Sequence, residues 1–264
     1  MKTVKMFGAL PIAVTSVVPR GKAKAHLVFV HMSWGGAWAF RFYLPFLAQR
    51  GYACHALDLR GHGKSGGTVE GATMQDYVDD VRTAVTGLDI NRPVIIGHSM
   101  GGLVGLMYGA QHPTAGIAAL DASPAAEVQG SGEEKTYPSA YRPTDAGMPK
   151  NPLRAMAALP DIPPMRMFMM KLMLGVESGV ARSERKRGIS VPKESLAGTS
   201  ILCVGAENGT SLPFGIGIEK MRQQAAYYGT DAIEIKGATH PGLLIGVHWR
   251  KTAEAILEWL PTLG

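Results

Sequence analysis

The stretch VIIGHSMGG, residues 94–102, sets a serine between glycines where a β-branched run gives way to a helical period. RPVIIGH reads as a buried strand, and SMGGLVGLMYGAQH reads as the helix that follows it. Gly97-His98-Ser99-Met100-Gly101 is therefore a G-x-S-x-G turn between a strand and a helix. In such a turn the serine adopts a strained backbone conformation and its Oγ projects beyond the sheet. Glycine at 97 and 101 removes side chains that would collide in so tight a bend. The first amides of the helix point at the serine and favour negative charge developing beside it. The chemistry this suits is nucleophilic attack.

Such a turn needs a sheet to stand on. Short apolar runs alternate with helical periods along the chain, the pattern of a parallel sheet flanked by helices. HLVFVH (26–31), YACHALD (52–58), RPVIIGH (92–98), GIAALD (116–121), SILCVGA (200–206) and DAIEIK (231–236) read as strands. AWAFRFYLPFLAQRG, MQDYVDDVRTAVTGL and HWRKTAEAILEWL read as helices. With two short edge strands in MKTVKMFGALPIAVTSVV, the sheet has about eight strands. That N-terminal stretch imitates a secretory leader, but Pro11 interrupts it and no small-residue cleavage site follows.

Between Asp121 and Ser195 the pattern changes to a proline-, glycine- and methionine-rich segment without a convincing strand. It reads as a helical cap (124–195) inserted between two parts of a core (1–123 and 196–264). Met165, Phe168, Met169, Leu172, Met173 and Val176 share one helical face, which predicts a helix packed on the core. Methionine also adapts to varied shapes, so the same face can line a substrate pocket as a flexible lid. ARSERKRG reads as a solvated face or loop, with an anion-attracting rim as the alternative.

At 264 residues and 46% apolar content the chain can bury a substantial core. Its net charge of +6 leans weakly towards anionic substrates or surfaces. Basic residues are not interleaved with aromatics, which argues against nucleic acid as a partner. No run is long enough for a membrane span. Cys54 and Cys203 lie in apolar strands without metal-ligand neighbours, which fits a reducing, cytoplasmic setting. No metal-ligand cluster or phosphate-binding loop is present, so neither metal nor organic cofactor is expected.

VFVHMSWGGAW follows the first core strand and DLRGHGKSGG the second, and the serine turn comes third. By these three stretches, in this order, the chain resembles the α/β-hydrolases over nearly its whole length apart from the insertion. The resemblance implies a serine esterase- or lipase-like enzyme with Ser99 as nucleophile. It implies an oxyanion hole made by the backbone N–H groups of Met100 and Ser33. Met32 stands where the family usually has the glycine of a His-Gly pair, and Met32 and Trp34 fall at the pocket with Met169 and Met173. His31, His62 and His98 are expected to orient loops, and Asp58 to anchor one. His240, in IKGATHPGLL, sits where the family keeps its catalytic histidine, and imidazole titrates near neutrality.

The acid is the point of departure. The family commonly keeps it after the penultimate strand, and counting back from Pro213 in ENGTSLP reaches Gly209. Glycine cannot orient an imidazole, and loss of such a carboxylate costs about ten-thousand-fold in turnover. Asp121, ending GIAALD, is the expected substitute, because some family members, certain dehalogenases among them, carry the acid there. Glu207 is the alternative.

The resemblance thus implies cleavage of a carboxylic ester, including a lactone or lipid-like ester, through an acyl-enzyme, with an apolar small molecule as partner and a homodimer left open. Carbon–carbon bond or thioester hydrolysis and acyl transfer use the same triad. SWGGAW also resembles hydroxynitrile lyases, but the lysine they place after the histidine is missing from PGLLIG. A non-catalytic binder that retains the pocket is the remaining reading.

Overall fold

A computed structural model describes residues 2–263. The first part of the chain runs through strand β1 (Lys2–Phe7), β2 (Ile12–Val17), β3 (His26–Val30), helix α1 (Tyr43–Ala48), β4 (Ala53–Leu57), α2 (Met74–Gly87), β5 (Val94–His98), α3 (Met100–Gln111) and β6 (Gly116–Leu120). A connecting segment holds α4 (Ala126–Gln129), β7 (Ala140–Tyr141), α5 (Pro152–Ala158), α6 (Pro164–Met173), β8 (Glu177–Ser178) and α7 (Gly179–Arg187). The chain then returns through β9 (Ser200–Asn208), α8 (Ile218–Tyr228), β10 (Ala232–Thr239), α9 (Gly242–Ile245) and α10 (Trp249–Trp259).

Eight strands form one sheet in the order β1-β2-β4-β3-β5-β6-β9-β10. The pairs from β4 to β10 are parallel, and β2 runs antiparallel to both β1 and β4. Central strands such as Val94–His98 and Gly116–Leu120 are buried along their whole length, as a parallel sheet covered on both faces requires. One core joins Leu27, Phe29, Ile96 and Leu120 to Tyr43 and Leu47 of α1 and Ile256 of α10. The other joins Val28, Ile95 and Ile117 to Val78 and Val81 of α2, Leu103 and Leu106 of α3 and Met221 of α8. Each such side chain taken from water contributes roughly 1.5–3 kcal/mol. A reciprocal cap between Thr73 and Asp76 fixes the start of α2.

The strand order reverses at β3, whose successors β4 and β5 lie on opposite sides of it. Loops leaving β3 and β5 therefore diverge and open a crevice at the strand ends, the general place for ligands in open α/β sheets.

The segment between β6 and β9 departs from the sequence expectation in three ways. It is mainly helical, but Ala140 and Tyr141 pair antiparallel with Ser178 and Glu177. The face of α6 expected on the core is turned outward: Met165 is 71% exposed, Phe168 59% and Leu172 65%. Met167 and Met170 are the residues of α6 that are buried. ARSERKRG is neither loop nor wholly solvated face; it forms most of α7, and Arg185 is buried within it.

Candidate active site

Ser99 sits between β5 and α3 with φ 56° and ψ −120°, a backbone conformation that a side chain rarely adopts. Its N–H donates to the Leu120 carbonyl at 3.0 Å, and its carbonyl accepts from Gly102 at 3.0 Å and Ser123 at 2.9 Å. The end of β6 therefore holds the turn in place. A Cβ at Gly97 would lie 2.1 Å from the Gly101 carbonyl oxygen, and one at Gly101 would lie 2.2 Å from that of Val30. No larger residue fits either position, so the two glycines follow from packing as well as from the bend.

His240 follows β10, and its ring opens on the same cavity as Ser99. Its Nδ1 donates to Asp121 Oδ2 at 2.6 Å, which leaves Nε2 as the nitrogen free to exchange a proton. Asp121 is fully buried at the end of β6 with φ 42°. Its other oxygen accepts from the N–H groups of Gly217 at 2.9 Å and Ala206 at 3.3 Å, so the carboxylate is fixed in one orientation. Among the described residues no hydrogen bond joins Ser99 to the ring. Contacts between nucleophile and base are commonly loose before substrate tightens them.

Glu207 lies elsewhere. It is exposed, and its Oε2 accepts from the N–H of Gly237 at 2.7 Å, tying β9 to β10 away from the ring. Gly209 has a steric cause: a Cβ there would stand 2.8 Å from Asp121 Oδ2 and 2.4 Å from the Gly217 Cα. The Gly217 backbone and the Asp121 carboxylate together fill the space that a side chain at 209 would need.

The loop after β3 carries Met32, Ser33 and Trp34 into the same cavity. Met100 is the first residue of α3, so its N–H has no partner inside the helix. The N–H of Ser33 donates to no other backbone carbonyl among the described residues. His31 holds this loop, its Nδ1 donating to the Met32 carbonyl at 2.7 Å and its Nε2 accepting from Leu59 at 3.1 Å. Burial, helped by the nearby His62 ring, holds His31 down at about 4, so it stays neutral and can serve both bonds. Asp58 accepts from Ala37 at 2.7 Å and Lys64 at 3.0 Å and joins two loops.

The cavity encloses about 340 Å³. Trp34, Met148, Met170, Leu174, Phe214 and Ile216 make its apolar side, whereas Arg182, Arg185 and Lys186 of α7 face it from another. Met169 and Met173 do not line it; they are each 38% exposed on the outer side of α6, and Met170 and Leu174 take the places expected of them. The pocket is thus less uniformly apolar than the methionine-rich segment suggested.

His98 orients a loop by a hydrogen bond, as expected of it, and three further supporting residues escaped the sequence reading. His98 donates from Nε2 to the His240 carbonyl at 2.9 Å and places the histidine loop from below. Burial and the His240 ring hold His98 well below the usual imidazole range, consistent with a neutral donor. Asp161 accepts from Thr239 N at 3.0 Å and Thr239 Oγ1 at 2.6 Å, clamping the same loop from the connecting segment. Glu177 of β8 accepts from Tyr77 Oη at 2.5 Å and faces His62 Nε2 at 3.6 Å, locking that segment to the core. Arg185 is the third. Only ARSERKRG carried a signal: Arg182, Arg185 and Lys186 recur at the spacing of one helical face.

The model of the alpha/beta hydrolase family matches residues 27–255, and the chain belongs to that family. Among characterised relatives, a bifunctional esterase/perhydrolase of Acinetobacter calcoaceticus is 33% identical over 101 residues, 37% of this chain and 36% of that protein. A non-heme chloroperoxidase of Burkholderia pyrrocinia is 36% identical over 85 residues, covering 31% of this chain and 30% of its own length. The match thus spans about a third of these relatives. The fold extends further: the esterase RhEst1 from Rhodococcus sp. ECU1013 superposes with a TM-score of 0.72 at 19% identity, over 100% of this chain and 99% of that one.

Proposed function

We propose that the protein is a serine hydrolase that cleaves a carboxylic ester through an acyl-enzyme. The reading rests on one observation. Ser99 and His240 face a common cavity while Asp121 engages the far nitrogen of the ring. The Ser99 hydroxyl would attack the ester carbonyl while His240 Nε2 takes its proton, and Asp121 would hold the tautomer and stabilise the imidazolium. The N–H groups of Ser33 and Met100 would receive the oxyanion. His240 would then protonate the departing alcohol, and water would reverse these steps to release the acid. Residues 124–195 would act as a cap that excludes water and supplies one side of the pocket. The esterase/perhydrolase relative and the esterase with this fold support this substrate class.

A fluorophosphonate with intact-mass analysis tests the nucleophile. One adduct is expected, located on Ser99 and absent from Ser99→Ala. No adduct, or one elsewhere, would remove the basis for a serine enzyme. A panel of p-nitrophenyl esters, lactones and thioesters then separates ester cleavage from the other reactions open to this triad.

A further inference from the structure

The connecting segment directs cationic side chains at a pocket whose other lining is largely apolar but also includes Gln129, Ser131 and Glu133. Arg182, Arg185 and Lys186 stand on one face of α7, at positions i, i+3 and i+4, and all three line the cavity. Lys186 is half matched by Glu133 at 3.8 Å. Arg185 is not matched in that way. It is only 9% exposed, and no carboxylate lies within ion-pair distance of it among the described residues.

Its hydrogen bonds all go to neutral acceptors. Nη2 donates to Ser33 Oγ at 3.0 Å and to Tyr141 Oη at 3.4 Å, and Nε donates to the Ala181 carbonyl at 3.4 Å. Glu177 is near enough for the two charges to interact, but its oxygens already face Tyr77, the Ser178 amide and His62. Arg182 repeats the pattern: its guanidinium lies 5.5 Å and 5.7 Å from the rings of Tyr137 and Tyr141, and its buried Nε has no acceptor. Buried charges are ordinarily paired, because an unpaired one forfeits its hydration without return. A guanidinium offers a planar fork that matches a carboxylate in a bidentate way.

We infer that the substrate carries a carboxylate which enters this pocket and pairs with Arg185, with Arg182 beside it. The inference rests on the proposed ester hydrolysis and narrows it to monoesters of short dicarboxylic acids. Arg185 touches the side chain of Ser33, whose N–H is the proposed second oxyanion donor, so the bound carboxylate lies within a few bonds of the scissile carbonyl. The apolar side of the cavity receives the remainder of the molecule. Arg185 is then a specificity residue, and it acts on the charged end of the substrate.

The test compares the monoethyl esters of succinic and glutaric acid with neutral ethyl butyrate and ethyl valerate, followed by proton release. The wild type is expected to favour the charged esters in kcat/KM. Arg185→Gln is expected to lower the charged series roughly ten- to hundredfold more than the neutral one, mostly through KM, with Arg185→Lys in between. Equal losses in the two series would reduce Arg185 to support for the Ser33 loop and overturn the inference. So would a wild-type preference for the neutral esters, a result that needs no variant to fold. A binding measurement separates this inference from the proposed reaction. Ser99→Ala is expected to bind succinate in isothermal titration, and Ser99→Ala/Arg185→Gln to lose that binding. Succinate binding without turnover of any ester would sink the hydrolase reading and keep the anion site, whereas absent binding in Ser99→Ala would sink the site itself.

Discussion

Asp121 and Gly209 compete for one volume. An ideal Cβ at 209 lies 2.8 Å from Asp121 Oδ2, the oxygen that accepts from His240. The Gly217 backbone, with its Cα 2.4 Å from the same Cβ, closes the rest of that space, so the acid stands at 121 and not at 209. Asp121→Asn is therefore expected to lower kcat by roughly 10³–10⁴, whereas Glu207→Gln, bonded to Gly237 on the far side of the strand, should leave it within about threefold. Full activity in Asp121→Asn would exclude this carboxylate from the chemistry. Gly209→Asp alone should be poorly folded and inactive, because its Cβ meets the Gly217 backbone as well as the Asp121 carboxylate. Asp121→Gly combined with Gly209→Asp should not recover turnover above that of Asp121→Gly, because the Gly217 Cα, 2.4 Å from a Cβ at 209, still bars the side chain. Steady-state kinetics of the wild type, Asp121→Gly, Gly209→Asp and the double variant decide this, and recovery in the double variant would show that the Gly217 backbone yields. The serine turn was legible because its cause is local: strand, glycines and helix lie within a dozen residues. The histidine could be placed from its position after the last strand. The missing acid pointed to Asp121, but sequence could not show the steric reason for Gly209, since it depends on how the loop folds back on Gly217 and on the Asp121 carboxylate from another strand.

The elements of the connecting segment that line the cavity were less legible, and the reason is rotational. One residue along a helix turns the side chain by 100°, so a helix that is apolar nearly all round, as PMRMFMMKLM is, does not declare its buried face. Met170 and Leu174 reach the cavity where Met169 and Met173 were expected, one step away. The register of α7 could not be read either, because its partners are distant in sequence: Glu184 accepts from the Met74 amide and Arg185 donates to Ser33. Burial works to raise the Glu177 carboxyl, but His62, Arg185 and Tyr77 outweigh it and hold it at about 2, below the ordinary 4.5. Burial likewise opposes the charged form of His62, and Glu177 overcomes this to raise it above the usual 6.5. The signs follow. The Glu177 contribution is complete above about pH 4.5 and fades as pH falls towards 2, while that of His62 fades as pH rises past its raised value. Urea midpoints should therefore fall between pH 4.5 and 2, with roughly 3 kcal/mol at stake from Glu177. Glu177→Gln should be less stable than wild type near pH 6 and should lose less on acidification. Parallel acid curves for the two proteins would show that β8 is not held by this charge.

Charge at the scale of the whole molecule acts on a different step from charge inside the pocket. The chain carries +6, and the crevice at the switch between β3 and β5 opens beside the basic face of α7. An anionic ester should therefore be steered towards the opening by a field that reaches about 30 Å in 10 mM salt and about 10 Å in 100 mM. Arg185, buried among Ser33, Tyr141 and Ala181, is screened far less. These two contributions are separable. Raising salt from 10 to 300 mM should lower kcat/KM for monoethyl succinate several-fold while leaving ethyl butyrate nearly flat. Arg185→Gln should lower the charged ester at every salt concentration but keep most of the slope, since 26 other lysines and arginines remain of the 27 in the chain. If the slope disappears with Arg185, the salt dependence belongs to the pocket contact and the wider field does not guide entry. If the slopes for the charged and neutral esters coincide in the wild type, neither the net charge nor the cationic face of α7 selects for anions.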